Sequence, residues 1–226
     1  MSVGAFLQAT LGFGMALVAA PLLVLINPSL IPGPMLFTSA VLTLLMTRRE
    51  WHAVRGRDLG WSLGGRVIGI GIALAVMDRM STNGMDLLFG AIVLGAVLMS
   101  AGGISLPLTR GTLWHAGMLS GLMGTVTSIG GPPIALVYQN ERGPEVRGTL
   151  SAYFLVGTVL SLAGLAWIGR FGLPELRAGL SLCPGVILGY LASRNALGLV
   201  DRRGLRPAIL GLAAASALVV ILRRIL

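Results

Sequence analysis

Eight apolar runs, separated by short charged or turn-rich breaks, occupy almost the whole chain, and this pattern constrains the fold more than any other feature. The runs cover 4–26, 34–47, 59–77, 84–102, 112–139, 148–168, 173–193 and 205–222. Crossing the hydrocarbon core takes about 20 mostly apolar residues in a helix, at about 1.5 Å per residue. Apolar residues make up 55% of the 226 and charged residues 11%, with a mean hydropathy of +0.87. A water-soluble domain has no means of hiding that much apolar surface, so the excess faces lipid. The fold class predicted is therefore all-α: a polytopic membrane protein forming a single membrane domain over 1–226, with no soluble domain left over.

The net charge of +9 is carried by arginine alone, without a lysine. In a soluble protein that balance would suggest nucleic acid. Here the arginines sit in short loops at the ends of the runs, where retained positive charge sets membrane orientation, so no nucleic-acid partner is expected. No basic residue precedes the first apolar stretch and no cleavage site follows it, so a removable signal peptide is not expected. The single cysteine, Cys183, lies inside an apolar run and has no intrachain partner.

The runs fall into two related halves, 1–103 and 112–226. A shift of 116 superimposes Gly14 on Gly130, Ala19 on Ala135, Phe37 on Tyr153 and Leu44 on Leu160. A shift of 120 superimposes Gly65 on Gly185, Gly69 on Gly189 and Gly84 on Gly204. Loop charge then sets their relative orientation. The loop after the second run holds Arg48, Arg49, Arg55 and Arg57 against Glu50 and Asp58, and its counterpart after the sixth holds only Arg170 and Arg177 against Glu175. Asp78, Arg79 and Asp86 follow the third run, whereas the loop after the seventh holds Arg194, Arg202, Arg203 and Arg206 against Asp201. The positive bias switches between equivalent loops, as inverted repeats require. Inversion needs an odd number of crossings per half. A re-entrant first segment followed by three transmembrane helices supplies that parity. With 48–57 and 194–206 in the cytoplasm, eleven arginines lie inside and five outside, against nine and seven for eight plain crossings.

Each half opens on a broken segment. Leu11-Gly12-Phe13-Gly14 and Ser128-Ile129-Gly130-Gly131-Pro132-Pro133 both read as non-helical. Irregular backbone at membrane depth survives only when buried in protein or lining a wet cavity. Paired breaks in corresponding positions point to a transporter binding site, and helix N-termini released there suit an anion. The substrate-binding candidates are therefore Gln8, Thr10, Gly12, Phe13, Gly14, Thr125, Thr127, Ser128, Gly130, Gly131 and Pro132. Close helix packing is the competing reading for glycines. It is the expected one for Gly60 and Gly64, Gly65 and Gly69, Gly117 and Gly121, and Gly185 and Gly189.

Arg66 joins the candidates as the one charged residue well inside a run, seven residues beyond Leu59 and so about 10 Å deep. Its guanidinium offers a fork of donors to sulfonate, carboxylate or phosphate oxygens, although from that depth its stem also reaches back to the interface. The eight carboxylates lie in loops or at helix ends, with none near mid-membrane. His52 and His115 stand on separate segments and make no haem or zinc pattern, so no cofactor or metal is expected. Trp51, Trp61, Trp114 and Trp167 sit near run ends, where an aromatic belt belongs.

These motifs carry a family resemblance. Gly12-Phe13-Gly14 runs on to Pro21; at mid-chain come Leu119-Ser120-Gly121-Leu122-Met123-Gly124, then Ile129-Gly130-Gly131-Pro132-Pro133, then Val146-Arg147-Gly148-Thr149-Leu150-Ser151-Ala152-Tyr153-Phe154. Over nearly its whole length the chain resembles the sulfite exporter TauE/SafE family of bacterial permeases. The resemblance implies two repeated halves in the bacterial inner (plasma) membrane and transport of a sulfur-containing anion such as sulfite or sulfoacetate. It supports the two breaks as site positions, with Arg147 and Thr149 in the motif that follows; Arg66 rests on its own chemistry.

The expected function is a secondary transporter, not an enzyme, moving a small anion with its site between the two breaks. A passive anion channel using the same helix ends is one alternative, and a membrane anchor subunit of another complex is a second. The expected partners are the anionic substrate and the lipid bilayer, with a homo-oligomer allowed for.

Overall fold

The computed structural model describes residues 1–80, 82–102, 106–141 and 143–194. The eighth run, and most of the loop 194–206, lie outside the described residues. Among them the chain forms nine α-helices, two 3-10 turns and no strands. The helices are α1 (Ser2–Leu11), α2 (Met15–Ile26), α3 (Gly33–Glu50), α4 (Gly56–Arg79), α5 (Thr82–Ala101), α6 (Arg110–Thr127), α7 (Gly131–Tyr138), α8 (Pro144–Trp167) and α9 (Leu173–Ser193). α3, α4, α8 and α9 are each long and apolar enough to cross a membrane.

Which faces are buried confirms the solvent these helices are built for. α4 turns Val67, Ile68, Ile72 and Val76 outward, and α9 does the same with Leu180, Ile187, Leu188 and Leu191. Their inward faces add small and polar residues, Ser62, Gly65, Arg66 and Gly69 on α4 and Gly179, Gly189 and Ser193 on α9, to apolar ones such as Ile70, Met77 and Val186. A soluble helix does not turn large apolar side chains outward in this way. Lipid removes the hydrophobic drive between helices, so close approach of small residues takes its place.

Glycine sets that approach. Any Cβ on Gly65 or Gly69 of α4 would overlap the carbonyl oxygens of Trp114 or Met118 on α6. Gly117 and Gly121 of α6 meet the carbonyls of Ser62 and Arg66 in return. α9 uses Gly189 in the same way against the carbonyl of Ser2 and the backbone nitrogen of Phe6 on α1, and Gly185 lies against Met1 and Ser2. Gly60 and Gly64 differ from the expected packing role: nothing lies within 4 Å of a Cβ on Gly60, and Gly64 meets only the Trp114 ring at 3.8 Å or more.

The two broken segments form hairpins that open at opposite ends of the bundle. α7 returns to the end where α4 begins, since Glu141 just after it pairs with Arg55 just before α4. α2 runs to the other end, where Gly33 at the start of α3 lies against Phe171 and Glu175 at the start of α9. α3 and α8 pass between the hairpins. Around this frame sit three apolar clusters: one centred on α2, α5 and the end of α4, one on α1, α2 and α3, and one on α6, α7 and α8.

Candidate functional site

Both breaks end a helix in left-handed backbone. α1 stops at Gly12, with φ of 93°, and Gly14 follows at 120°. α6 stops at Ser128, with φ of 65°. The second break is shorter than the sequence suggests. Gly131, Pro132 and Pro133 are the first residues of α7, not irregular chain. The first turn of a helix has N–H groups without intrahelical acceptors, so proline loses nothing by lacking one there.

This placement also reduces the donors that the breaks offer. Pro132 and Pro133 contribute no N–H at the start of α7. At the start of α2 the Met15 N–H donates to Gln8 Oε1 at 3.0 Å, closing the first hairpin across its own break. The positive character of the region therefore rests mainly on a side chain.

That side chain is Arg66. It stands ten residues into α4, about 15 Å from the start of the helix and deeper than its distance from Leu59 suggests. It is 1% exposed and points into the protein, which excludes the snorkelling arrangement. Gly157 of α8 makes the room: a Cβ there would overlap the guanidinium. The Tyr153 and Phe154 rings lie 4.6 and 5.4 Å from Arg66 Cζ. Arg66 Nη1 donates to Ser120 Oγ at 3.4 Å, and Ser120 Oγ donates in turn to the Gly130 carbonyl, tying the guanidinium to the second break.

Five N–H donors against one long hydrogen bond leave Arg66 under-satisfied. Its Nε is buried without a partner among the described residues. None of the ion pairs among the described residues includes it. An uncompensated buried charge costs several kcal/mol, and a desolvated cation–π contact returns about 2 kcal/mol. The two rings and the Ser120 bond offset part of that cost and leave the Nε donor unmet, a need that an anion would meet.

A small cavity is adjacent. Arg66 lines a cavity of about 30 Å³, room for about two water molecules, together with Gln8, Phe13, Gly14, Ser128, Gly130 and Gly131 of the two breaks. Seven of the twelve sequence candidates thus share one cavity. Thr10, Gly12, Thr125, Thr127 and Pro132 are not in its wall. The three threonine hydroxyls are engaged locally: Thr10 donates to the Phe6 and Leu7 carbonyls, Thr125 to Gly121, and Thr127 to Met123. Buried threonines satisfy themselves on their own helix when no stronger acceptor is near.

Sequence reasoning missed the contribution of the two long helices between the hairpins. Ser39 and Leu36 of α3 and Phe154 and Thr158 of α8 complete the wall. A signal was present. Ser39, Thr43 and Thr47 recur every four residues along α3 and are all buried, a polar stripe facing inward from an apolar span.

At the end where α3 and α4 meet, ion pairs join the hairpins to the spans. Arg55 pairs with Glu145 and Glu141, which hold its pKa above the ordinary arginine value, Glu145 foremost. The Arg55 N–H donates to Thr149 Oγ1 at 2.9 Å, and Arg147 Nε donates to Glu50 Oε1 at 2.8 Å. Glu50, at a helix end as its position implies, nevertheless has its side chain largely covered, with 8% of it exposed.

The family model described as sulfite exporter TauE/SafE matches residues 1–220. A "Probable sulfite/organosulfonate exporter TauE" of Cupriavidus necator is 25% identical over 215 residues, covering 86% of this chain and 80% of that protein. No solved structure matches the chain. With multiple membrane-length helices and a family match over nearly its full length, this multi-pass bacterial membrane protein belongs to the sulfite exporter TauE/SafE family.

Proposed function

We propose that the protein is a secondary transporter that carries a small sulfur-containing oxyanion or organosulfonate, seated on Arg66 between the two hairpin breaks. The observation that carries this reading is the buried guanidinium, with no ion-pair partner among the described residues, in a cavity walled by both breaks. The exporter name of the Cupriavidus necator relative favours sulfite or an organosulfonate. One cation with no acid beside it among the described residues favours a small anion over a neutral or cationic solute. Gln8 and Ser128 add neutral polar groups, while Phe13 and Phe154 exclude water.

The inverted arrangement, with repeats over 1–103 and 112–226, belongs to the same proposal. Its support is the packing of the glycines. A shift of 120 takes Gly69 to Gly189, and a shift of 116 takes Ser2 to Met118 and Phe6 to Leu122. Gly69 meets the Met118 carbonyl and the Leu122 nitrogen; Gly189 meets the Ser2 carbonyl and the Phe6 nitrogen. One contact thus reproduces the other, in hairpins that open at opposite ends. Rocking one half against the other would then expose the Arg66 cavity to each side in turn.

Counterflow in proteoliposomes tests the function. Vesicles loaded with unlabelled sulfite should accumulate radiolabelled sulfite transiently, faster than vesicles loaded with chloride. A flux with no acceleration by internal sulfite would indicate a passive channel instead.

A further inference from the structure

A second set of unsatisfied polar groups lies outside the Arg66 cavity, at the last turn of α3. Glu50 Oε1 accepts from Arg147 Nε at 2.8 Å and lies 3.1 Å from Arg49 Nη2. The other oxygen, Oε2, is buried without a partner among the described residues, as are Arg49 Nε and Nη1 and Thr47 Oγ1. Two guanidinium groups thus face a single carboxylate, which uses only one of its oxygens. Arg49 is also held by the Ala9 carbonyl at 2.9 Å and lies 5.4 Å above the Tyr190 ring. α1, α3, α8 and α9 therefore converge on this cluster.

The cluster touches the first break. A Cβ on Gly12 would lie 3.8 Å from Arg147 Cα and Cγ, and Phe13, the next residue, lines the Arg66 cavity. One residue of chain separates the cavity wall from the ion pairs. Beyond Glu50 a short connection leads to α4, with Trp51 and His52 exposed.

We propose that Arg49 and Arg147 form a second anion station at this end of the pathway, and that the Glu50 carboxylate occupies it in place of the travelling anion. The station takes a small oxyanion of carboxylate or sulfite type. As the anion arrives, Glu50 swings out toward the loop that follows it; as the anion leaves, Glu50 returns and closes the end. A carboxylate and a sulfite oxygen pair offer guanidinium groups the same kind of acceptor, so the exchange leaves both arginines paired throughout. With Glu50 seated the cluster carries a net +1; a monoanion such as hydrogensulfite or a sulfonate keeps that value, and the sulfite dianion neutralises both arginines. This station stands on its own residues and does not require the Arg66 assignment.

Equilibrium binding of radiolabelled sulfite to the purified full chain tests it. Glu50→Gln keeps the side chain's shape and removes its charge. It should bind one more sulfite per chain than the parent protein, and adding Arg147→Gln should abolish the extra site. In a Glu50→Gln/Arg66→Gln double variant the extra site should remain while the cavity site is lost. Should Glu50→Gln fold poorly, Glu50→Asp, which retracts the carboxylate by one methylene, should show the extra site at lower occupancy. If the parent protein binds no sulfite, the Arg66 reading fails, yet Glu50→Gln still reports on the station. Unchanged stoichiometry in folded Glu50→Gln and Glu50→Asp protein overturns the proposal and leaves the cluster a structural clip.

Discussion

The two hairpin breaks are related in sequence and use glycine for different reasons. In the first, Gly14 has φ of 120°, a region that side chains with a Cβ rarely adopt, yet nothing lies within 4 Å of where its Cβ would be. In the second, Gly130 has an ordinary φ of −93°, but its Cβ would lie 2.8 Å from the Ser120 carbonyl oxygen and 3.2 Å from Gly124 Cα. Gly14 is constrained by its own backbone and Gly130 by its neighbours. The first break can therefore accept a side chain at the cost of local strain, whereas the second must move α6.

That difference orders the outcomes of substitution. Gly130→Ala should have the largest effect. Overpacking against fixed backbone costs about 1–3 kcal/mol, and here it also disturbs the Ser120 bridge to Arg66. A thermal melt in detergent should show a marked loss of stability together with weakened sulfite binding. Gly14→Ala should come next. Left-handed backbone costs a residue with a Cβ about 1–2 kcal/mol, and the new methyl group faces open space beside the cavity wall. Affinity should fall in the folded protein by more than the melting temperature suggests. Equal loss of stability in the two variants would break the comparison. Gly95→Ala should have the smallest effect and the opposite sign. Gly95 lies within α5 with none of the described residues within 4 Å of a Cβ there, so alanine should be neutral or stabilise by up to about 1 kcal/mol. A melting temperature lowered as far as that of Gly14→Ala would mean that membrane glycines in this protein act generically.

The contrast also explains how much was legible in advance. The helices follow the apolar runs closely, because run length and charged ends directly encode where lipid stops. The breaks were legible from Gly12, Gly14 and Gly130 for the same reason: helix-breaking residues at membrane depth have few structural solutions. The sign of φ at Gly130 was not, since glycine is required there by the distance to Ser120, ten residues away, and no local pattern records it. Pro132 and Pro133 were misplaced because proline marks both a break and a helix start. Arg66 was visible as a charge in a span, but its freedom from carboxylates depends on which helices face it. The covering of the Glu50 side chain was hidden likewise, because a position at the end of α3 says nothing about Arg147 reaching across from α8.

Arg66 decides the account, and it can be tested with affinity and stability measured on the same preparations. Sulfite binding and thermal melting should be compared for Arg66, Arg66→Lys and Arg66→Gln proteins. Removing a charged partner from a desolvated anion costs about 2–5 kcal/mol, so Arg66→Gln should lose at least about thirtyfold in affinity. Relief of an uncompensated buried charge should leave its melting temperature in the absence of sulfite unchanged or raised. Arg66→Lys should recover part of the affinity, the charge being kept and the fork lost. Arg66→Gln protein that binds sulfite as the parent does, or that melts markedly lower without sulfite, would contradict the account and make Arg66 a structural residue.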